Sequence, residues 1–337
     1  MTETRPLVVL SAAPRRIDQI FWPGRFEALS EDFDVVVDDG FTRLDDLLPD
    51  VFAIVGQPDL PLKRLERAPR LRAIINIEGN FYPNIDYPAC FARGIRVLGC
   101  GPVYSQPVAE YALGLALDLC RGISREDHAF RAGTERWVAD STADSILLAG
   151  ADVGLIGFGN LGRALRQLLV PFHPVLRCYD PWVPDSVLNE HQMVPASLNE
   201  VLTQSQVIFV LATVTSESEH LLGPAELDAI PRGARLVLVS RAAVVDFDAL
   251  LDRVSEGQFL AAIDVWPDEP MPADHRVRRT EGLVLSAHRA GGIPWAFHQI
   301  GELVIDDLQM MKAGLPPVRL QVAAPELVGR YRNRPVD

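Results

Sequence analysis

An arginine, a glutamate and a histidine in the last third of this 337-residue chain stand where their side chains could do chemistry together. Arg241 follows the run Arg235-Leu236-Val237-Leu238-Val239-Ser240. Glu269 lies just past Ala262-Ile263-Asp264-Val265, and His288 follows Leu283-Val284-Leu285-Ser286-Ala287. Each stands beyond the carboxyl end of a strand-like run, the edge at which open α/β sheets place ligands. A guanidinium fork can grip a carboxylate and polarise a carbonyl oxygen as negative charge develops on it. An imidazole can give and take the proton, while a carboxylate paired to it fixes its tautomer and supports its charged form. Taken singly, each has a plainer reading: a surface ion pair, a structural histidine, a loop carboxylate before Pro270. Their conjunction beside a nucleotide motif is what points to a site.

That motif is Val153-Gly154-Leu155-Ile156-Gly157-Phe158-Gly159-Asn160-Leu161-Gly162, followed by a helical repeat and then Leu176-Arg177-Cys178-Tyr179-Asp180. Gly157 permits a tight turn, Gly159 lets backbone approach a pyrophosphate, and Gly162 lets the helix pack on the strand. The helix starting here directs free N–H groups and its positive dipole end at phosphates. Leu161, Ala164, Leu165, Leu168 and Leu169 keep helical spacing, so the glycines pass the strand–turn–helix context test. Asp180 stands where a carboxylate accepts the ribose hydroxyls and repels a 2′-phosphate, which favours NAD over NADP. A methyltransferase-like nucleotide fold competes, but its glycines usually fall at alternate positions.

These residues require rigid elements behind them. The first hundred residues alternate β-rich runs near 7–10, 34–37, 53–55, 73–77 and 96–99 with helical or polar stretches, the pattern of a small parallel α/β domain. A helix is expected to begin near Pro107 and run toward Leu119. Strands follow near 153–158, 176–180, 207–212, 235–240, 260–265 and 282–287, and an amphipathic helix over about 296–312. The length suits about two domains. A hydrophobic content of 48% supplies two cores, and a net charge of −13 without a basic run argues against nucleic-acid binding. Cys90, Cys100, Cys120 and Cys178 lack metal-ligand spacing and read as reduced thiols, so no metal is expected. The run Leu7 to Leu10 is too short for a signal peptide or a membrane span, so a soluble, cytoplasmic protein is expected.

With these motifs in order, the chain resembles the D-isomer-specific 2-hydroxyacid dehydrogenase family over nearly its whole length. The resemblance is carried by the glycine fingerprint with Asp180, by Thr213-Val214-Thr215-Ser216-Glu217-Ser218 and by Ser240-Arg241-Ala242-Ala243-Val244-Val245-Asp246. It is carried further by Asp264-Val265-Trp266-Pro267-Asp268-Glu269-Pro270 and Ser286-Ala287-His288-Arg289-Ala290-Gly291-Gly292. Asn84-Ile85-Asp86, Arg93-Gly94-Ile95 and Val108-Ala109-Glu110 fit as well. It implies an α/β protein of two Rossmann-like domains. A doubly wound NAD-binding domain (107–298) is inserted into a smaller flavodoxin-like substrate domain (1–106 and 299–337), with a cleft at the hinge. It implies interconversion of a small anionic 2-oxo acid and its D-2-hydroxy acid, with Arg241, Glu269 and His288 as the catalytic set. Gly157 to Gly162, Asp180, Ala212, Thr213, Ser240, Asp264 and His288 would hold NAD, Asp264 through the nicotinamide carboxamide. It also implies a homodimer, and it turns the irregular segment Ile123 to Leu148 into an arm for a second subunit.

Three positions depart from the family. Its substrate loop usually has two glycines, whereas this chain reads Glu78-Gly79-Asn80-Phe81. Gly79 and Asn80 can still offer amides to a carboxylate; Phe81 restricts the backbone and is a candidate to line the pocket. Ala242 replaces a glycine. Arg289 follows His288 where a small or apolar residue is commoner; it is either an outward helix-entry charge or a second cation for a dicarboxylate or phosphonate. Formate-oxidising relatives carry glutamine at the position of Glu269, which favours hydroxy-acid chemistry here. Phosphite oxidation uses a similar triad, and NADH-sensing corepressors share the architecture but usually add disordered tails.

Overall fold

The computed structural model describes residues 5–79, 81–138 and 142–330. The chain divides into two compact units, Met1–Tyr104 with Gly292–Asp337, and Ser105–Gly291.

In the first unit, β1 (Leu7–Leu10), β2 (Asp34–Val37), β3 (Val51–Val55), β4 (Ala73–Asn76) and β5 (Arg96–Gly99) form a parallel sheet in the order β5-β4-β3-β1-β2. This is the flavodoxin-like order, and the short strand Gln321–Val322 joins antiparallel to β5. Alternation along β1 sends Val8 and Leu10 into one core cluster and Val9 into another, so both faces of the sheet are covered. The helix Pro294–Lys312 seals one face through Ile300, Val304 and Leu308.

The second unit holds β6 (Asp152–Ile156), β7 (Val175–Tyr179), β8 (Val194–Pro195), β9 (Val207–Val210), β10 (Arg235–Leu238), β11 (Leu260–Ile263) and β12 (Leu283–Leu285). They pair throughout in parallel, in the order β12-β11-β10-β9-β6-β7-β8. This is the doubly wound order with one strand added, and its direction of growth reverses between β6 and β9. Tyr179, Ile156, Val210, Leu238, Ile263 and Leu285 stand in register across six neighbouring strands. Their carboxyl ends therefore form one straight edge, the edge from which the fingerprint and the arginine, glutamate and histidine segments emerge.

The strands stop one to two residues short of several expected ends, because the chain bends into loops as soon as the ladder ends. The helix expected near Pro107 starts earlier and spans Pro102–Arg121 with Pro107 inside it. Pro102 already supplies the first-turn preference, and an interior proline forfeits one backbone bond that the buried face of Ala109, Ala112 and Ala116 offsets.

Candidate active site

The glycine turn after β6 has the shape the fingerprint requires. Gly157 adopts φ +102, and a Cβ there would lie 2.9 Å from the backbone nitrogen of Ala212, across the point where strand order reverses. A Cβ on Gly162 would meet the Gly157 carbonyl oxygen at 2.6 Å, so helix Asn160–Leu169 reaches the turn at a distance open to glycine. Gly159 differs: nothing lies within 4 Å of its missing side chain. Open space at the start of a ten-residue helix is the cradle a pyrophosphate needs.

Asp180 stands one residue past β7 and ties that strand end to the turn. Its carboxylate accepts the Phe158 N–H at 2.6 Å and the Trp182 N–H at 2.8 Å, while the Phe158 ring is wholly buried. Burial, with Asp180 adding to it, pushes the neighbouring Cys178 thiol up to about 12. Leu161 packs on the core, and Thr213, just past β9, accepts the Ser218 hydroxyl through its carbonyl at 2.6 Å.

Arg241 leaves β10 with its backbone extended, and its guanidinium donates to the Ser240 carbonyl at 2.6 Å. The Ser240 hydroxyl is buried without a hydrogen-bond partner among the described residues, a polar atom left for a ligand. Asp264, buried at the end of β11, accepts the N–H groups of Arg289 and Ala290 at 3.0 and 3.1 Å. Its carbonyl accepts the His288 N–H at 2.8 Å. One carboxylate thereby fixes the loop after β12. His288 is held there at φ +46, a conformation rarely seen outside glycine and concentrated at functional sites. Its Nδ1 lies 2.7 and 2.9 Å from the two oxygens of Glu269, and the Trp266 N–H donates to the same carboxylate at 3.1 Å.

In the first unit, Gly79 lies beyond β4 at the carboxyl edge of that sheet, where a Cβ would come 3.3 Å from the Tyr104 ring. Asn80 falls outside the described residues. Phe81 is 5% exposed, and its ring packs in the core against Gly99. A large apolar ring gains from such burial. Glu78 pairs with Arg15, whose guanidinium lies 4.4 Å from the Phe297 ring centre. Burial pushes the Tyr104 hydroxyl upward, with the Glu78 charge adding to it.

The family model described as "D-isomer specific 2-hydroxyacid dehydrogenase, NAD binding domain" matches residues 113–290. The chain belongs to this family. It is accordingly an NAD-dependent 2-hydroxyacid dehydrogenase. The glyoxylate reductase of Thermofilum pendens is 29% identical over 263 residues, covering 75% of this chain and 76% of that one. A D-3-phosphoglycerate dehydrogenase of Archaeoglobus fulgidus is 28% identical over 283 residues, 83% of this chain but 53% of the longer relative. Among solved structures, a phosphoglycerate oxidoreductase from Rhizobium etli superposes with a TM-score of 0.87 at 45% identity, covering 95% of this chain and 99% of that one.

Around the histidine of this dehydrogenase the fold adds residues that the sequence alone did not single out. Trp266 donates its indole N–H to the Ser286 carbonyl at 2.8 Å, and the Ser286 hydroxyl lies 2.7 Å from that of Tyr111. Tyr111 is 175 residues away in sequence, so no local spacing could have announced it. A cavity of about 420 Å³ opens beside the pair, with Trp266, Met271, Val277, Arg278 and Leu285 in its walls together with Glu269 and His288. The Arg289 side chain is exposed; its backbone, not its charge, contacts Asp264.

Proposed function

We propose that this dehydrogenase reduces a small 2-oxo acid to its D-2-hydroxy acid, and runs the reverse oxidation, with Arg241, Glu269 and His288 as its catalytic set. The observation that carries the reading is the contact of His288 Nδ1 with Glu269, on a loop pinned by Asp264 at the edge shared with Arg241 and the glycine turn. Because Nδ1 is engaged by the carboxylate, Nε2 is the nitrogen left to serve the substrate. Arg241 holds the substrate carboxylate and the 2-oxo oxygen, stabilising the negative charge that grows there. His288 Nε2–H passes its proton to that oxygen, and Glu269 supports the imidazolium before transfer and keeps the ring oriented after it. Gly157 to Gly162, Asp180, Ala212, Thr213, Ser240 and Asp264 hold the cofactor, and NADH, when bound, supplies the hydride for the 2-oxo carbon.

NADH consumption with glyoxylate, hydroxypyruvate and a 2-oxo dicarboxylate, and NAD reduction with phosphite and formate, test this reading. Turnover of at least one 2-oxo acid is expected, falling by about 10²–10⁴-fold in His288→Ala. Phosphite as the sole substrate, NADH binding with no turnover, or an undiminished His288→Ala variant would each overturn it. We further propose that the protein is a cytoplasmic homodimer assembled through the 123–148 arm, where Ile123, Phe130, Trp137 and Leu147 are 59–69% exposed. A monomeric mass by light scattering would refute that assembly.

A further inference from the structure

The amino-terminal edge of the first unit's sheet carries a feature that dehydrogenase chemistry does not use. Arg72 stands just before β4, and Arg96 opens β5 opposite Ala73, so two guanidinium-bearing residues are neighbours across one strand pair. Neither side chain has an ion-pair or hydrogen-bond partner among the described residues. Elsewhere in the same unit Arg15, Arg25, Arg64, Arg67 and Arg319 each grip a carboxylate. Acidic residues outnumber basic ones by 45 to 32, so two adjacent arginines left unpaired run against the composition of the chain. Both arginines line one cavity, so an anion seated in it would meet two positive charges.

There is room for one. A cavity of about 390 Å³ is lined by the two arginines together with Phe52, Met311, Leu315 and Pro317. That volume falls in the small-molecule range, roughly 300–1,000 Å³, and is far larger than a bare phosphate ion needs. The paired prolines Pro316 and Pro317 fix their own φ angles and so pre-form the wall. Two guanidinium forks lining one cavity match the oxygens of a phosphate, and the apolar wall matches a hydrocarbon or aromatic body attached to it.

We propose that this cavity is a binding site for an organic phosphate monoester with an apolar or aromatic body, separate from the dehydrogenase chemistry. The inference stands independently of the substrate assignment, since all its residues lie in the first unit and at the opposite sheet edge from Gly79. Calorimetric titration of the whole protein with phenyl phosphate, in saturating NADH, tests it. Saturable binding is expected, weakened at least about tenfold by Arg72→Gln/Arg96→Gln, and weakened likewise by Leu315→Glu, which sets an acid in the wall. Inorganic phosphate should bind more weakly, and benzyl alcohol not at all. Absence of saturable binding, or equal affinity in both variants, would refute the site. Inorganic phosphate binding as tightly as phenyl phosphate would refute the role of the apolar wall. Unchanged thermal midpoints for the variants serve as the control on folding.

Discussion

Asp264 reaches the candidate chemistry through backbone: two N–H groups of the loop after β12 converge on its oxygens, and that loop carries His288 at a positive φ. An amide in its place would turn an NH₂ toward one of those N–H donors. Charge-assisted bonds of this kind contribute about 1.5–3 kcal/mol each. Asp264→Asn is therefore expected to lower unfolding free energy by about 2 kcal/mol and kcat by about tenfold or more. Denaturant melts and steady-state rates measured on the same preparation check both. A stable variant with an intact rate would mean that the loop holds itself. The three proposed catalytic residues were legible in the sequence because each follows an apolar strand. The backbone grip on His288 was not, since only a folded loop brings residues 264, 289 and 290 together.

At the scale of the element, the strand–turn–helix around the fingerprint separates packing from ligand space. Gly162 and Gly159 both have ordinary φ angles, so alanine at either tests space and not backbone strain. At Gly162 the new methyl meets a carbonyl oxygen at 2.6 Å, and the helix must move. Gly162→Ala is expected to lose about 1–3 kcal/mol of stability and most of its NADH affinity. At Gly159 the methyl enters open space. Gly159→Ala should melt at the temperature of the parent yet bind NADH at least about tenfold more weakly, because the methyl occupies the approach of the pyrophosphate. Thermal melts with NADH fluorescence titration distinguish the two, and equal behaviour of the variants would break the assignment. The sequence located this element well, since glycine roles follow from spacing. It gave no hint of the Asp180 bond to the Phe158 N–H, which depends on β6 and β7 lying side by side.

Across the whole molecule, surface ion pairs set the response to acid. The Arg64 hydrogen bond holds the Asp45 carboxyl below its ordinary range, and bonds from Lys312 and Gln309 do the same for Asp32. A carboxyl with a depressed folded value stabilises the fold above its unfolded pKa, about 3.9, and that contribution disappears as pH falls through the folded value. Thermal midpoints should accordingly change little from neutrality to about pH 5 and fall below about pH 4. Both groups are well exposed, so solvent screening limits each pair, and Arg64→Gln should cost less than about 1 kcal/mol at neutral pH. A midpoint that rises on acidification would contradict the sign. Among the described residues, no helix is long and apolar enough to cross a membrane.

By itself the sequence determined the two α/β cores, the dinucleotide turn and the three side chains beyond β10, β11 and β12. Strand periodicity, glycine spacing and residues at strand ends are local properties, written over a few neighbouring positions. Tertiary structure decided what needed distant segments to meet. It turned Phe81 inward onto Gly99, gave Asp264 the loop that bears His288, and set Tyr111 against Ser286. It also brought Arg72 and Arg96 to one cavity, neither side chain paired among the described residues, since strand order places β4 next to β5 and no local pattern records which charges a sheet edge leaves unpaired.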